Sequence, residues 1–218
     1  MGVYTSLLKQ HTRRILEGIV IVLGILLFAL FIHKQGALLI FAFTGLLISA
    51  YTIHHASKGV PLLRAFGFNS SSKLMPLYIV IALLLGVAMG IGIRHKFNLS
   101  LLPKTLTYIA LLGPVIGITE ELIFRGFIQG HVRPAGRIFA LLFATTGHTL
   151  YKLFVIGSLS DTAAFNFQFL LIWTFIGGIL FGILREISGS VIPSAVAHAC
   201  FDIILYGGFI AAPFWVWG

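Results

Sequence analysis

The sequence predicts an all-α fold: a polytopic bundle of about seven transmembrane helices, or eight if the last apolar segment is divided. Two observations carry this prediction. Of the 218 residues, 58% are hydrophobic and 10% charged, with a mean hydropathy of +1.03, whereas soluble proteins average roughly 25% charged residues. The apolar residues also form long runs separated by short basic connections, so water cannot be the main solvent.

The apolar runs are long enough to span a bilayer, which takes about 20 residues per helix. They lie near residues 15–32, 37–53, 75–93, 105–119, 137–156, 166–184 and 190–213, and the last could break near Gly207 and Gly208. The first run follows Lys9, Arg13 and Arg14 as in a signal peptide. Because this run is long and no small-residue cleavage site follows it, we interpret it as a membrane anchor and not as a cleaved signal peptide.

The net charge of +9 does not indicate nucleic-acid binding, because the basic residues lie mainly between apolar runs and not in one patch. They suit anchors facing anionic lipid head groups. With Arg125 set aside, a cytoplasmic N-terminus puts nine basic residues inside and five outside, which favours that orientation. We expect the membrane to be the cell membrane. The inner residues are Lys9, Arg13, Arg14, Lys58, Arg64, Lys73, Arg133, Arg137 and Arg185; the outer ones are Lys34, Arg94, Lys96, Lys104 and Lys152.

Tight helix packing is indicated by three pairs of small residues four positions apart, a spacing that lets helix backbones approach closely. The pairs are Gly86/Gly90, Gly113/Gly117 and Gly178/Gly182. The single cysteine, Cys200, excludes an intrachain disulfide and a multi-cysteine metal site.

Six acidic residues divide into two groups. Glu17 at the start of a span, Asp161 in a loop and Glu186 at a helix end have ordinary structural explanations. The others lie in or against apolar runs, together with a buried arginine and two histidines; the set is Glu120, Glu121, Asp202, Arg125, His148 and His198. Since a charge at a helix centre costs about 2.5–3.5 kcal/mol to insert, such residues are functional candidates.

Helical spacing separates the two adjacent glutamates. Glu121 and Arg125 are four residues apart in the favourable order for an ion pair, so Arg125 is predicted to neutralise Glu121. Glu120 points about 100° away from Glu121 and needs another partner, which makes it the reactive acid.

The histidines supply the rest of a hydrolytic site. A Glu hydrogen-bonded to a neutral His in a poorly hydrated cavity can hold a water molecule and accept its proton, a role that suits Glu120 with His148. His198 and Asp202 stack four residues apart on one helix. His198 could donate to the developing oxyanion while Asp202 fixes its orientation. This chemistry needs no cofactor.

The three elements together resemble the CAAX protease and bacteriocin-processing family, also called the Abi family, over about residues 113–206. The family pattern is Glu-Glu-xxx-Arg, Phe-xxx-His and His-xxx-Asn/Asp. The first and third elements match at Glu120-Glu121-xxx-Arg125 and His198-xxx-Asp202. In the second, Phe143 lies five residues before His148, and Ala144 takes the expected aromatic position.

The resemblance implies an intramembrane glutamate protease. Glu120 and His148 would activate water, His198 and Asp202 would support the oxyanion, and Glu121 and Arg125 would be structural. The partners would be the lipid bilayer and a membrane-associated protein or peptide, of CAAX, leader or C-terminal sorting-tail type. Residues 1–218 would form one membrane domain, with scaffold spans in 1–100 and a catalytic core in 105–213.

Three other interpretations remain open from the residues. Glu120, His148, His198 and Asp202 could bind zinc, although no His-Glu-xx-His motif is present. The chain could be a catalytically silent scaffold or immunity protein. It could also be a proton-coupled transporter that uses the same buried acids.

Overall fold

The computed structural model describes residues 2–69, 72–159 and 166–210, with side chains from residue 8 onward. This part of the chain forms helices and turns and contains no strand. Five helices are long and apolar enough to cross a membrane, and a sixth apolar helix is shorter. The candidate spans are Leu8–Phe31, Gly36–Ala56, Met75–Lys96, Arg137–Gly157 and Phe167–Ser188, and the shorter helix is Ile192–Tyr206. The predicted all-α membrane fold is therefore confirmed.

The first two helices pack against each other as a pair, α1 (Gly2–Phe31) and α2 (Leu39–Ala56). Glycines make this contact possible, because a methyl group on Gly45 would collide with the backbone oxygen of Gly24. Ser49 Oγ also donates to the Ile21 carbonyl at 3.0 Å. The connection that follows contains a single turn of helix, α3 (Leu62–Ala65).

Helix α4 (Met75–Lys96) is the scaffold helix that contacts the C-terminal half most closely, along α9 (Ile192–Tyr206). The predicted Gly86/Gly90 pair lies in this contact, where a methyl group on Gly90 would come within 2.7 Å of Ile204. At the end of α4, the buried Arg94 Nη1 donates to the carbonyls of Leu205 and Gly207 at 3.0 and 2.9 Å. These bonds satisfy carbonyl groups at the end of α9 that have no partner within the helix.

A longer helical run replaces the short fourth segment that the sequence predicts. Helix α5 (Tyr108–Glu121) passes without a break into a π-helix (Leu122–Gln129) and then α6 (Gly130–Val132). The apolar pattern ends near residue 119 only because Glu120, Glu121 and Arg125 interrupt it. π-Helical turns are rare and are frequently found at functional sites.

Two further helices complete the bundle around this run, α7 (Arg137–Gly157) and α8 (Phe167–Ser188). Gly178 lies against α7 and the π-helix, since a methyl group there would approach Thr145 Cγ2 within 2.7 Å and Arg125 Nη2 within 2.9 Å. Helix α9 ends at Tyr206, and Gly207 and Gly208 form the predicted break. An eighth span, like the Asp161 loop, would fall on residues outside the described ranges.

Candidate active site

Three elements bring the predicted site residues into one buried cluster. The end of α5 carries Glu120 and Glu121, α7 carries His148, and α9 carries His198 and Asp202. Each of these side chains is buried, with an exposed fraction of 6% or less. The fold therefore brings His148 and Asp202, which lie 28 and 82 positions after Glu120, into the same buried cluster.

Two basic side chains lie within 3.2 Å of the Glu120 carboxylate oxygens. His148 Nε2 lies 3.2 Å from Glu120 Oε2, the ring N–H being the donor. Lys152 Nζ lies 2.7 Å from the other carboxylate oxygen. The histidine partner is the one that the sequence predicts for this acid, whereas the lysine was not predicted.

Glu121 occupies a different environment on the same helix. Its Oε1 lies 3.4 Å from Arg125 Nη1, so the predicted ion pair is present, with both side chains fully buried. The same oxygen lies 3.0 Å from His198 Nδ1. Glu121 thus has a second role as the acceptor that orients His198.

The predicted orientation of His198 by Asp202 is wrong in detail. His198 Nε2 lies 3.9 Å from Asp202 Oδ1, too far for a hydrogen bond. The same nitrogen lies 3.9 Å from Glu120 Oε2. Stacking four residues apart brings Asp202 close to His198, but a carboxylate on the neighbouring helix makes the shorter contact, because Glu121 faces α9 directly.

Gly117 determines how closely α5 and α9 approach at the site. A methyl group on Gly117 would collide with Asp202 Oδ2 and come within 2.9 Å of His198 Cδ2. This confirms the close approach predicted from the Gly113/Gly117 pair. The glycine lets both α9 side chains lie directly against the helix that carries Glu120.

An aromatic side chain contacts His148, but from another element than the one expected. The Phe124 ring centroid lies 4.9 Å from that of His148. Ala144, at the aromatic position of the family pattern, is fully buried in the cluster that includes Phe124. The π-helix therefore supplies the ring that α7 lacks at that position.

A cavity of about 530 Å³ opens beside the cluster. His148, Lys152, His198 and Asp202 line it at one side. Much of the remaining wall is apolar and includes Met89, Ile93, Phe169, Trp173 and Phe181. The arrangement combines a carboxylate–imidazole pair with an apolar chamber that could hold part of a substrate.

The family comparison agrees with this geometry. A family model described as type II CAAX prenyl endopeptidase Rce1-like matches residues 102–204. No curated protein and no solved structure matches the chain. Residues 102–204 form a domain of the Rce1-like family.

The Rce1-like domain contains α5, the π-helix and α6 to α8, and ends within α9. The family resemblance read from Glu120-Glu121-xxx-Arg125 and His198-xxx-Asp202 is thereby confirmed. The family is one of intramembrane proteases. Helices α1 to α4 lie before the matched residues, where the sequence shows no family motif.

Lys152 is the site residue of the Rce1-like domain that sequence reasoning missed. The residue comes near the end of an apolar run, a position that predicts an outer connection. The structure instead places it inside α7 with an exposed fraction of 8%. Its spacing of four residues from His148 was the available signal, because residues four apart share a helix face.

The donor atoms of the Rce1-like site are not arranged as a metal centre. Among the residues whose placement is described, no group of three or more His, Cys, Asp or Glu side chains has a metal-binding arrangement. One oxygen of Glu120 faces the Lys152 ammonium group instead. The four zinc ligands considered from the sequence therefore lie near one another without converging on a common point.

Proposed function

We propose that this protein is an intramembrane endopeptidase in which Glu120 and His148 activate the water molecule that cleaves a peptide bond. The observation that carries the proposal is the buried contact of 3.2 Å between His148 Nε2 and Glu120 Oε2, beside a cavity of about 530 Å³. Membership of residues 102–204 in the Rce1-like family supports the reaction class.

The general base is Glu120. Its carboxylate accepts a proton from water, and the water oxygen attacks the carbonyl carbon of the scissile bond to give a tetrahedral intermediate. The carbon–nitrogen bond then breaks, and Glu120 returns the proton to the departing amine. General acid–base catalysis of this kind contributes about 10²–10⁴-fold to a rate. His148 donates to Glu120 and holds the carboxylate in position.

His198 is the proposed oxyanion donor. Its Nδ1–H donates to Glu121, so a donor at Nε2 requires the doubly protonated ring. Carboxylates of Glu120, Glu121 and Asp202 lie within 3.9 Å of the ring nitrogens, and their negative charges favour this form. A preorganised donor at this position would stabilise the charge that develops in the transition state. Asp202 contributes through its negative charge next to Nε2, without donating itself.

Lys152 compensates the charge of the general base. Its ammonium group lies 2.7 Å from Glu120 Oε1 in an interior where an isolated carboxylate would be costly. Each carboxylate oxygen has lone pairs for more than one donor, so water can still bind beside these partners. The lysine thus helps to keep Glu120 in the ionised form that accepts a proton.

The substrate we infer is a membrane-associated protein or peptide, because the reactive groups lie within a bundle that contains five candidate spans. We propose that seven segments cross the cell membrane: these five, the run 108–132 and α9, with scaffold spans in 1–100 and the core in 105–213. Leaving out the buried Lys152, Arg94 and Arg185 gives three outer basic residues against eight inner ones, which still favours a cytoplasmic N-terminus.

The test compares Glu120→Gln with the wild-type protein in cells that lack the native gene. Profiling of newly formed peptide termini among membrane proteins should reveal cleavages with the wild type that are lost with the variant. Glu17→Gln is the matched control, since it makes the same substitution in a membrane helix away from the site. Variant and control should accumulate to similar levels. Glu120→Gln should unfold at a lower temperature than the control, because it leaves the buried Lys152 ammonium group without its carboxylate.

Each outcome distinguishes the competing functions. Normal processing by Glu120→Gln would reject the hydrolase. Loss of a proton-gradient-dependent flux in that variant, with processing intact, would indicate a transporter. Cleavage abolished by a chelator and restored by zinc would favour the metal-dependent version, whereas the proposed mechanism is insensitive to chelators.

A further inference from the structure

A second cavity lies apart from the active site and shares no lining residue with the active-site cavity. It has a volume of about 620 Å³. Its walls come from residues 10–17 of α1, the end of α2 and the connection that contains α3. The π-helix, α6 and the last turn of α8 complete them. We refer to it as the basic cavity, because its walls carry five cationic residues against one acidic residue. The cationic residues are Arg13, Arg14, Lys58, Arg64 and Arg185.

Both carboxylate oxygens of Glu17, the one acidic residue of the basic cavity, already have partners. Glu17 accepts a hydrogen bond from Arg13 Nε at 2.9 Å and lies 2.9 Å from His131 Nε2 through its other oxygen. Within the described part of the chain, no carboxylate lies within 4.0 Å of the basic groups of the other four cationic residues. The cavity therefore has a concentrated positive charge that the protein does not balance locally.

Arg185 is the deepest of these cations. It is 91% buried, and its Nε has no hydrogen-bond partner among the described residues. Its neighbour Glu186 is engaged elsewhere, with Arg133 Nε at 2.9 Å and Gln129 Nε2 at 3.1 Å. A buried guanidinium nitrogen without a partner is costly, so Arg185 Nε is free to donate to an acceptor that a ligand supplies.

The backbone around Arg185 is shaped to leave room for its guanidinium group. Gly67 has a positive φ of 74°, and a methyl group there would come within 2.9 Å of Arg185 Nη2. The loop is fixed to the turn before α9, since Val191 N donates to the Gly67 carbonyl at 2.9 Å and Asn69 Nδ2 donates to the Gly189 carbonyl at 3.1 Å. The cavity is thus formed in advance of any ligand.

We propose that the basic cavity binds a phosphate group, with Arg185 at its base and Arg14, Lys58 and Arg64 around it. A planar guanidinium matches phosphate oxygens in a bidentate geometry, and four uncompensated cations suit a group with one or two negative charges. The cavity lies at the end of the bundle that carries most of the basic residues. An anionic lipid head group and free inorganic phosphate present the same chemistry there.

The experiment uses the purified full-length protein in neutral detergent. The anionic probes are phosphatidylglycerol and inorganic phosphate, each added in a sulfate-free buffer. Phosphatidylcholine, which has no net charge, is the comparison lipid. Apparent affinity is obtained from the rise in unfolding temperature as each probe is added, since a ligand that binds only the folded state stabilises it by mass action. The two anionic probes separate a lipid head group from soluble phosphate as the natural source.

Arg185→Gln should weaken binding of the effective probe about tenfold or more, the loss expected when a charge-assisted hydrogen-bonding group is removed. Arg64 is exposed in α3, so Arg64→Gln tests the same cavity if Arg185→Gln fails to fold. Arg137→Gln is the matched control, because it removes an exposed arginine from the same end of the bundle without lining the cavity. It should bind like the wild type.

The proposal is supported if an anionic probe binds the wild-type protein and binds the two cavity variants more weakly. The probe that does so shows whether the natural ligand is a lipid head group or soluble phosphate. The proposal is overturned if neither probe stabilises the wild-type protein more than phosphatidylcholine does. It is equally overturned if Arg64→Gln and Arg185→Gln respond to the probe as strongly as Arg137→Gln.

Discussion

The active site and the basic cavity both place charges in a mostly apolar protein, yet they balance those charges in opposite ways. In the active site, Lys152 faces Glu120 and Arg125 faces Glu121, at 2.7 and 3.4 Å. In the basic cavity, four of the five cations lack a carboxylate within 4.0 Å in the described part of the chain, namely Arg14, Lys58, Arg64 and Arg185. Each carboxylate of the first set faces a cation of the protein, whereas the second set is proposed to bind an anion from outside.

This difference separates two reasons for burying a charge. A compensated carboxylate can be kept ionised inside a bundle, which is what a general base needs. An uncompensated cation raises the free energy of the folded protein until a ligand neutralises it. The balance of nearby charges therefore distinguishes the proposed reaction centre from the proposed binding pocket.

The largest expected effect comes from breaking the fully buried Glu121–Arg125 pair. Arg125→Met leaves the Glu121 carboxylate without its cation and should lower the free energy of unfolding by about 3–5 kcal/mol. Thermal or denaturant unfolding in detergent would measure this loss. The double variant Glu121→Gln with Arg125→Met should recover most of it, because neither charge then remains alone and glutamine still accepts from His198.

A partly exposed ion pair provides the control for that experiment. Arg133 and Glu186 also pair at 2.9 Å, but the arginine side chain is 42% exposed. Arg133→Met should therefore cost less than about 1 kcal/mol. If Arg125→Met costs no more than Arg133→Met, the buried pair is not the structural element that we infer.

The next effect concerns activity. Lys152→Met removes the cation beside the proposed general base and should lower kcat/KM about tenfold to a hundredfold, because the buried carboxylate loses its ion-pair partner. The measurement is cleavage of a substrate identified by peptide-terminus profiling. The loss should appear mainly in kcat, since Lys152 is proposed to act on the base and not on substrate binding.

Lys96→Met is the matched control for Lys152. Lys96 lines the same cavity but makes no ion pair with a carboxylate in the described ranges. An equal loss of kcat in both variants would show that general positive charge in the cavity matters, and not the contact with Glu120.

The contrast between the two regions also explains which parts could be predicted from sequence. Glu120, His148 and His198 stand out because lipid-exposed charge is costly, and the Glu121–Arg125 contact follows from a spacing of four along one helix. Contacts within one helix and the presence of apolar spans are local properties. The spacing of Gly117 likewise predicted a close helix approach, which the structure confirms.

Contacts between helices were harder to predict. Lys152 belongs to the site only because α7 carries it towards Glu120, and Glu121 orients His198 only because α5 and α9 touch at Gly117. The basic cavity could not be predicted for the same reason. Arg14, Lys58, Arg64 and Arg185 look like ordinary lipid-facing anchors in separate connections until the bundle brings them together.

The smallest expected effect is the change in stability when Arg64 of the basic cavity is replaced. If the cations of the basic cavity are uncompensated, Arg64→Gln should not destabilise the protein in neutral detergent without phosphate or anionic lipid. The change should stay within about 0.5 kcal/mol, as for surface positions without a specific partner. Relief of repulsion among neighbouring cations favours the stabilising direction. A loss above about 1 kcal/mol would mean that Arg64 has a stabilising partner within the protein, and the contrast with Arg125 would fail.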